Sequence, residues 1–267
     1  MSPMLAALIP LVRTAAREEL LSRFSVAERR YKSDGSVVTE ADLAMQQRLT
    51  AELARLFPEY ALLGEEMPED QQRALIESGD RGLWCLDPLD GTSNFAAGLP
   101  FFGVSLALLK HRRPILALVY DPIRDECYTA EAGKGARLNG APLRCTAAGL
   151  PLRRCLAMVD FKRIPGLVSA LAVRPPYGSQ RSLGAVVLEW CWLAANRYHV
   201  YLHGRQKLWD YAAGALILAE AGGHAETLAG EPVFSDALQA RSVVAAGDPA
   251  LFEEWKSWLA GHNSPPA

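Results

Sequence analysis

The run from Trp84 to Phe95, Trp-Cys-Leu-Asp-Pro-Leu-Asp-Gly-Thr-Ser-Asn-Phe, constrains this chain more than any other stretch. An apolar strand ends in two carboxylates, Asp87 and Asp90, three residues apart, and Pro88 and Gly91 bend the backbone around them. Thr92 then opens a helix. Carboxylate oxygens suit hard cations such as magnesium, and the amide hydrogens of a helix start suit phosphate. Strand, turn and helix start must therefore meet at one point. A metal and a phosphate meeting there point to phosphoester chemistry.

With 267 residues, half of them hydrophobic, the chain can form one large domain or two halves sharing a core. A formal charge of −2 gives no electrostatic footprint for nucleic acid or an acidic membrane surface. The five cysteines (Cys85, Cys127, Cys145, Cys155, Cys191) are odd in number and lack CxxC spacing. They read as reduced, mostly buried thiols of a cytoplasmic protein, not as a disulfide framework or a zinc site. Near the N-terminus Leu5, Leu8, Ile9, Val12, Ala16 and Leu20 recur at helical spacing, interrupted by Arg13, Arg17, Glu18 and Glu19. That is a packing helix, not a signal peptide. The apolar segments 185–195 and 211–221 are too short to span a bilayer, and each carries a glutamate.

The order of elements follows from punctuation and periodicity. A turn is expected at 32–36, then an extended Val37-Val38 and a helix over 42–57. Thr39 is its N-cap, and Leu43, Leu49, Leu53 and Leu56 point inward. Residues 61–63 form a short apolar run, and 67–82 read as a loop with one helical turn. Strands 103–110 and 115–120 make a hairpin around His111-Arg112-Arg113-Pro114, whose tip lies in water. A strand at 126–130 and turns at 133–135 and 139–140 close the first half. The second half alternates strands near 155–159, 198–202 and 242–245 with helices near 167–173, 182–195, 209–221 and 249–259; the tail from 262 frays. Mixed elements without a linker imply a layered α/β body.

Four ordered motifs together resemble the inositol monophosphatase family: Val38-Thr39-Glu40-Ala41-Asp42, Gly64-Glu65-Glu66, Asp87–Thr92 with Ser93-Asn94-Phe95, and Trp209-Asp210-Tyr211-Ala212-Ala213-Gly214 running into Glu220-Ala221-Gly222-Gly223. The resemblance implies an α/β (α+β) fold, a layered αβαβα sandwich of the sugar-phosphatase type. Its halves would be residues 1–145 and 146–267, with the active site between them. It implies two to three Mg2+ ions held by the side chains of Glu65, Asp87, Asp90 and Asp210 and the carbonyl of Leu89. Glu65 would reach the weaker third ion through water, and Glu66 would be a supporting charge. Gly91 and Thr92 would offer amides to the phosphate, and the Thr92 hydroxyl with Asp42 would orient or deprotonate the attacking water. Further implications are inhibition by lithium, a homodimer, and a small-molecule phosphate ester as substrate, inositol 1-phosphate by default. Fructose 1,6-bisphosphate, histidinol phosphate and 3′-phosphoadenosine 5′-phosphate are the alternatives. A regulatory, partner-binding role on the same fold is a reading from a different class.

The match thins where a substrate would be recognised. Arg181-Ser182-Leu183-Gly184-Ala185 resembles the segment that brings backbone near the substrate, although Gly184 would equally serve close helix packing. His203 stands where inositol phosphatases carry a glutamate that binds substrate hydroxyls, which puts inositol itself in question. The segment 160–180 is shorter than the family leads one to expect and carries Lys162, Arg163 and Arg174; Arg205 and Lys207 precede Trp209. Such cations could hold a second anionic group or simply face water. Trp190 and Trp192 suit a core or a subunit contact, and Trp209 would pack behind Asp210 and fix its direction.

Overall fold

The computed structural model describes residues 2–24, 28–31, 35, 37–78, 81–235 and 237–263. Helix α1 (Pro3–Ala15) continues through a π turn, Ala16–Leu20, and buries Leu5, Leu8, Val12, Ala16 and Leu20 on one side, as their spacing demands. A two-stranded ribbon, β1 (Arg30–Tyr31) and β2 (Val37–Val38), leads to α2 (Glu40–Leu56). The expected turn at 32–36 lies outside the described residues except for Gly35. The Asp42 carboxylate accepts the Thr39 amide (2.8 Å), and the Thr39 hydroxyl accepts the amide of Ala41 (3.2 Å). This cap sets the rotation of α2: Ala41, Met45, Leu49 and Leu53 face inward. Leu43, expected inside, is exposed, because it lies on the opposite face from Ala41 and Met45.

Strand β3 (Ala61–Gly64) is followed by α3 (Glu69–Ser78), a full helix where the sequence suggests a loop with one helical turn. Its only buried residue is Gln72, so no apolar stripe announces it. Strands β4 (Leu83–Asp90), β5 (Gly103–Lys110), β6 (Arg113–Asp121), β7 (Glu126–Glu131), β8 (Ala136–Leu138) and β9 (Ala141–Leu143) follow; the short helix α4 (Thr92–Ala96) stands between β4 and β5. With β3 they form one seven-stranded sheet in sequence order, antiparallel except for the β3–β4 pair.

Alternation sorts the faces of this sheet. Trp84, Leu86, Val104, Leu106, Leu108, Leu116 and Leu118 pack with α1 and α2, while Cys85, Ala107, Ala117, Val119, Tyr128 and Ala130 face the other way. The second sheet takes β10 (Leu156–Val159), β11 (Ser179–Arg181), β12 (Val200–Gln206), β13 (His224–Glu226) and β14 (Arg241–Ala246) in the order β11-β10-β12-β14-β13. Its helices are α5 (Pro165–Val173), α6 (Val186–Ala194), α7 (Leu208–Glu220) and α8 (Pro249–His262).

Helices α6 and α7 are apolar on nearly every side because both sheets cover them: Trp190, Tyr211 and Ile217 share one core with Ala117 and Val119 on one flank and with Tyr201 and Ala245 on the other. The outer face of the second sheet packs Val200, Leu202 and Val244 on Leu167 and Leu171 of α5 and Trp255 of α8. The layers run α1/α2, sheet, α6/α7, sheet, α5/α8. That is the αβαβα sandwich. Among the described residues no helix is long and apolar enough to cross a membrane.

The expected helix 182–195 begins only at Val186, because the segment before it approaches as extended chain. The tail beyond Asn263 lies outside the described residues, and helix α8 itself runs on to His262.

Candidate active site

The site is built around an irregularity in β4. Asp87 pairs with Ser105 and Asp90 with Gly103, so β4 carries one extra residue there, and the bulge turns both carboxylates toward the same end of the sheet. The Asp87 carboxylate accepts the Leu89 amide (3.0 Å), which tightens the bend. Gly91 then adopts φ +86° and leads into α4; a Cβ there would stand 3.0 Å from the Phe101 carbonyl oxygen and from Ala185 Cβ. Positive φ and crowding both demand glycine. Gly91→Ala is expected to lower stability by about 2 kcal/mol, read as a lower denaturation midpoint with unchanged m-value.

Around this turn the chain gathers groups from distant elements. Glu65 follows β3; its amide donates to the Leu86 carbonyl (3.1 Å), and Gln72 of α3 donates to the carbonyls of Gly64 (2.9 Å) and Glu65 (3.1 Å). Asp210, in the first turn of α7, accepts the Lys207 amide (2.7 Å), while Ser105 donates to the Trp209 carbonyl (3.1 Å) and ties that turn to the first sheet. Asp90 accepts the Val187 amide at the start of α6 (2.7 Å). Asn94 donates to the carbonyls of Phe101 and Leu183, both at 2.8 Å, and clips α4 to the strand of chain that enters α6.

Glu65, Asp87, Leu89, Asp90, Gly91, Thr92, Gly184, His203 and Asp210 all line one cavity of about 1210 Å³. Gly184 has φ +77°, and a Cβ there would meet nothing nearer than Asn94 at 3.6 Å, so close packing is not what calls for glycine. Ala185, expected beside it, is fully buried and does not line the cavity.

Thr92 connects the cavity to a buried acid. Its hydroxyl lies 2.9 Å from Asp42 Oδ1 and 2.9 Å from the Leu89 carbonyl oxygen; the other Asp42 oxygen accepts the Thr39 hydroxyl (2.6 Å) and amide (2.8 Å). Burial pushes the Asp42 carboxyl up to about 6, against the pull of these hydrogen bonds. Burial likewise raises Asp87, Asp90 and Asp210, and the charges of Glu65, Asp90 and Asp210 raise Asp87 further. Four carboxylates thus repel one another in a closed space.

The chain matches the sequence model of the inositol monophosphatase family over residues 1–262. It belongs to that family. It is 32% identical to Nus factor SuhB of Pseudomonas aeruginosa over 286 aligned residues, which cover 99% of this chain and 98% of that protein. It is also 32% identical to the inositol-1-monophosphatase of Caulobacter vibrioides over 249 residues, 90% of this chain and 94% of that one. In structure it is similar to an IMPase of Thermotoga maritima, with a TM-score of 0.83 and 26% identity over 98% of this chain and 100% of that one. The chain is a phosphatase of the inositol monophosphatase type, a phosphoric monoester hydrolase.

The donor set of this inositol monophosphatase family member fits a hard divalent cation: it is all oxygen, mostly carboxylate, and its charges raise one another's proton affinity. Among the described residues no three acidic, histidine or cysteine side chains are already gathered as ligands of one ion. Asp90 and Asp210 are turned instead onto the amides of Val187 and Lys207. Each carboxylate has lone pairs for both an amide and a cation, so these contacts leave the donor set able to take one.

Several contributors escaped the sequence reading. Gln72 holds the Glu65 backbone, and Asn94 ties α4 to the chain entering α6. Glu189, buried in α6, accepts the amides of Leu183 (3.2 Å) and Gly184 (3.0 Å) and the Tyr201 hydroxyl (2.9 Å). Its signal was available: it is the sole charge in an otherwise apolar helix. The cations Lys162, Arg163, Arg205 and Lys207 line the cavity, while Arg174 does not. Arg112 at the hairpin tip is exposed, as expected, and also lines the cavity.

Proposed function

We propose that the chain hydrolyses the phosphate monoester of a small polyol or sugar, of the inositol 1-phosphate type, with magnesium as the required cation. The observation that carries this reading is the delivery of four carboxylates, from β3, β4 and α7, to the cavity that also holds the Gly91–Thr92 helix start. Glu65, Asp87, Asp90 and Asp210, with the Leu89 carbonyl, would hold the cation, and the cavity would lie between halves 1–145 and 146–267. Bound there, magnesium supplies a Lewis acid for the phosphate and lowers the pKa of water.

The remaining work falls to the chain's own groups. The Thr92 hydroxyl lies 2.9 Å from both Asp42 and the Leu89 carbonyl; with Asp42 ionised and accepting its proton, the attacking water gives a proton to Thr92 Oγ as the Thr92 proton passes to Asp42. The amides of Gly91 and Thr92 face the phosphate oxygens, and Gly184 marks where the leaving group enters.

Phosphate release from a panel of inositol, sugar, histidinol and nucleotide phosphates tests the reading. Release is expected on at least one polyol or sugar ester, dependent on magnesium and inhibited by lithium. The relatives called Nus factor SuhB support a second reading, a regulatory role through a partner. Silence on the whole panel with magnesium present would replace the hydrolytic reading by that one.

A further inference from the structure

One stretch of the cavity wall is formed by the end of β10 and by β12, and the Arg163 charge on it acts on Asp210. At the end of β10, Asp160 accepts the Lys162 amide (3.0 Å) and begins a single helical turn, Phe161–Arg163. This turn lies directly on β12. A Cβ at Gly204 would stand 1.6 Å from the Arg163 carbonyl oxygen, so only glycine lets the two backbones meet. Next to it on β12, His203 accepts the Arg205 amide on Nδ1 (3.2 Å) and places Nε2 3.0 Å from Asp160 Oδ2. Arg163 Nη1 also lies 3.3 Å from His203 Nε2; a ring with its proton on Nε2 donates to Asp160, accepts from Arg205 and leaves the Arg163 donor to the carboxylate. Asp160 Oδ2 also accepts Arg163 Nη1 at 3.2 Å, so one carboxylate oxygen gathers both side chains. Burial works against the Asp160 charge, but the His203 bond, the Lys162 amide and the Arg163 charge hold its carboxyl down to about 2.

Exposure separates the roles of the three side chains. His203 is 3% exposed, Asp160 13% and Arg163 50%. All three line the cavity; the two buried members are held in place, and the exposed Arg163 has donors open to it. Lys162, Arg205 and Lys207 line the same cavity, so Asp160 is outnumbered by cations along this stretch. A guanidinium fixed by a carboxylate on one edge presents its other donors as a preformed fork for an anion.

We propose that Arg163 is the specificity contact for a second anionic group, a phosphate or a carboxylate, on the leaving part of the substrate, and that Asp160, His203 and Gly204 are its positioning residues. The inference rests on the hydrolysis proposed above and narrows its substrate class: small esters with a second anion are preferred over neutral polyol monophosphates.

The test compares fructose 1,6-bisphosphate with fructose 1-phosphate, which share the ester cleaved and differ in the distant phosphate. The ratio of their kcat/KM values should favour the bisphosphate in the unaltered chain. Arg163→Met should lower that ratio by about 30-fold, the range of a charge-assisted hydrogen bond, and Arg163→Lys should lower it less. His203→Ala should move the ratio in the same direction, and His203→Gln, whose amide replaces the Nε2 donor, should restore most of it. A ratio that shows no preference for the bisphosphate, or that stays within threefold in Arg163→Met, overturns the inference and leaves the proposed hydrolysis standing. An unaltered chain inert toward both sugars and the whole panel overturns the two together.

Discussion

Asp90→Asn is expected to lower magnesium-dependent phosphate release by about 10³-fold or more while the protein stays folded. The substitution keeps the carbonyl oxygen that accepts the Val187 amide, so the contact between β4 and the start of α6 survives. What it removes is one negative charge from a buried group whose proton affinity is raised by burial first and by Asp210 next. In the absence of metal that removal relieves repulsion, and thermal unfolding at pH 8 should move upward. Loss of activity with a gain in stability is an uncommon pairing, and a merely structural role for Asp90 would give the reverse. Kinetic assay and thermal melts of the same preparation decide it: near-normal turnover would remove Asp90 from the cation site, and a lowered melting temperature would show that its charge is not a repulsive one.

The site was legible in the sequence to the extent that its parts are local. The bend of β4, the glycine at 91 and the cap at Thr39 each follow from a few adjacent residues whose backbone demands are strict, and the structure places them as expected. Asp210 was readable for the same reason, standing in the first turn of a strongly apolar helix. What could not be read depends on residues far apart in the chain. The sequence marks His203 only as standing in place of a glutamate; its partners come from Asp160, just past β10, and from the missing side chain at Gly204.

The fold divides along the same line. The unbroken apolar runs of β5 and β6 announce a sheet covered on both faces, and the all-round apolar character of α6 and α7 announces a central layer. Helix α3 was missed because it buries one glutamine rather than a stripe of leucines. Strands β11 and β13 were missed because three residues are too few to show a period. Leu43 was misplaced by counting leucines instead of measuring from the cap.

The clustered carboxylates also couple stability to pH in a direction opposite to that of most acidic groups. Asp42, Asp87, Asp90 and Asp210 all have folded-state proton affinities raised above their ordinary values. Between the ordinary carboxylate range and the raised value, the folded chain binds more protons than the unfolded one, so stability falls as pH rises through that window. For Asp42, held at about 6, full ionisation costs roughly 3 kcal/mol of stability, and the other three add to it. About half of the Asp42 cost falls between pH 5 and pH 8, so metal-free protein is expected to melt at least about 2 °C lower at pH 8 than at pH 5. Added magnesium should reverse the trend, because it binds the ionised carboxylates and protons compete with it. Its stabilising shift should be larger at pH 8 than at pH 5 and smaller in Asp90→Asn at either pH. Melts of metal-free and magnesium-loaded protein at the two pH values measure all of this. A melting temperature independent of pH without metal, or a magnesium shift larger at pH 5, would mean that Asp87, Asp90 and Asp210 are not the charged cluster that the geometry makes of them.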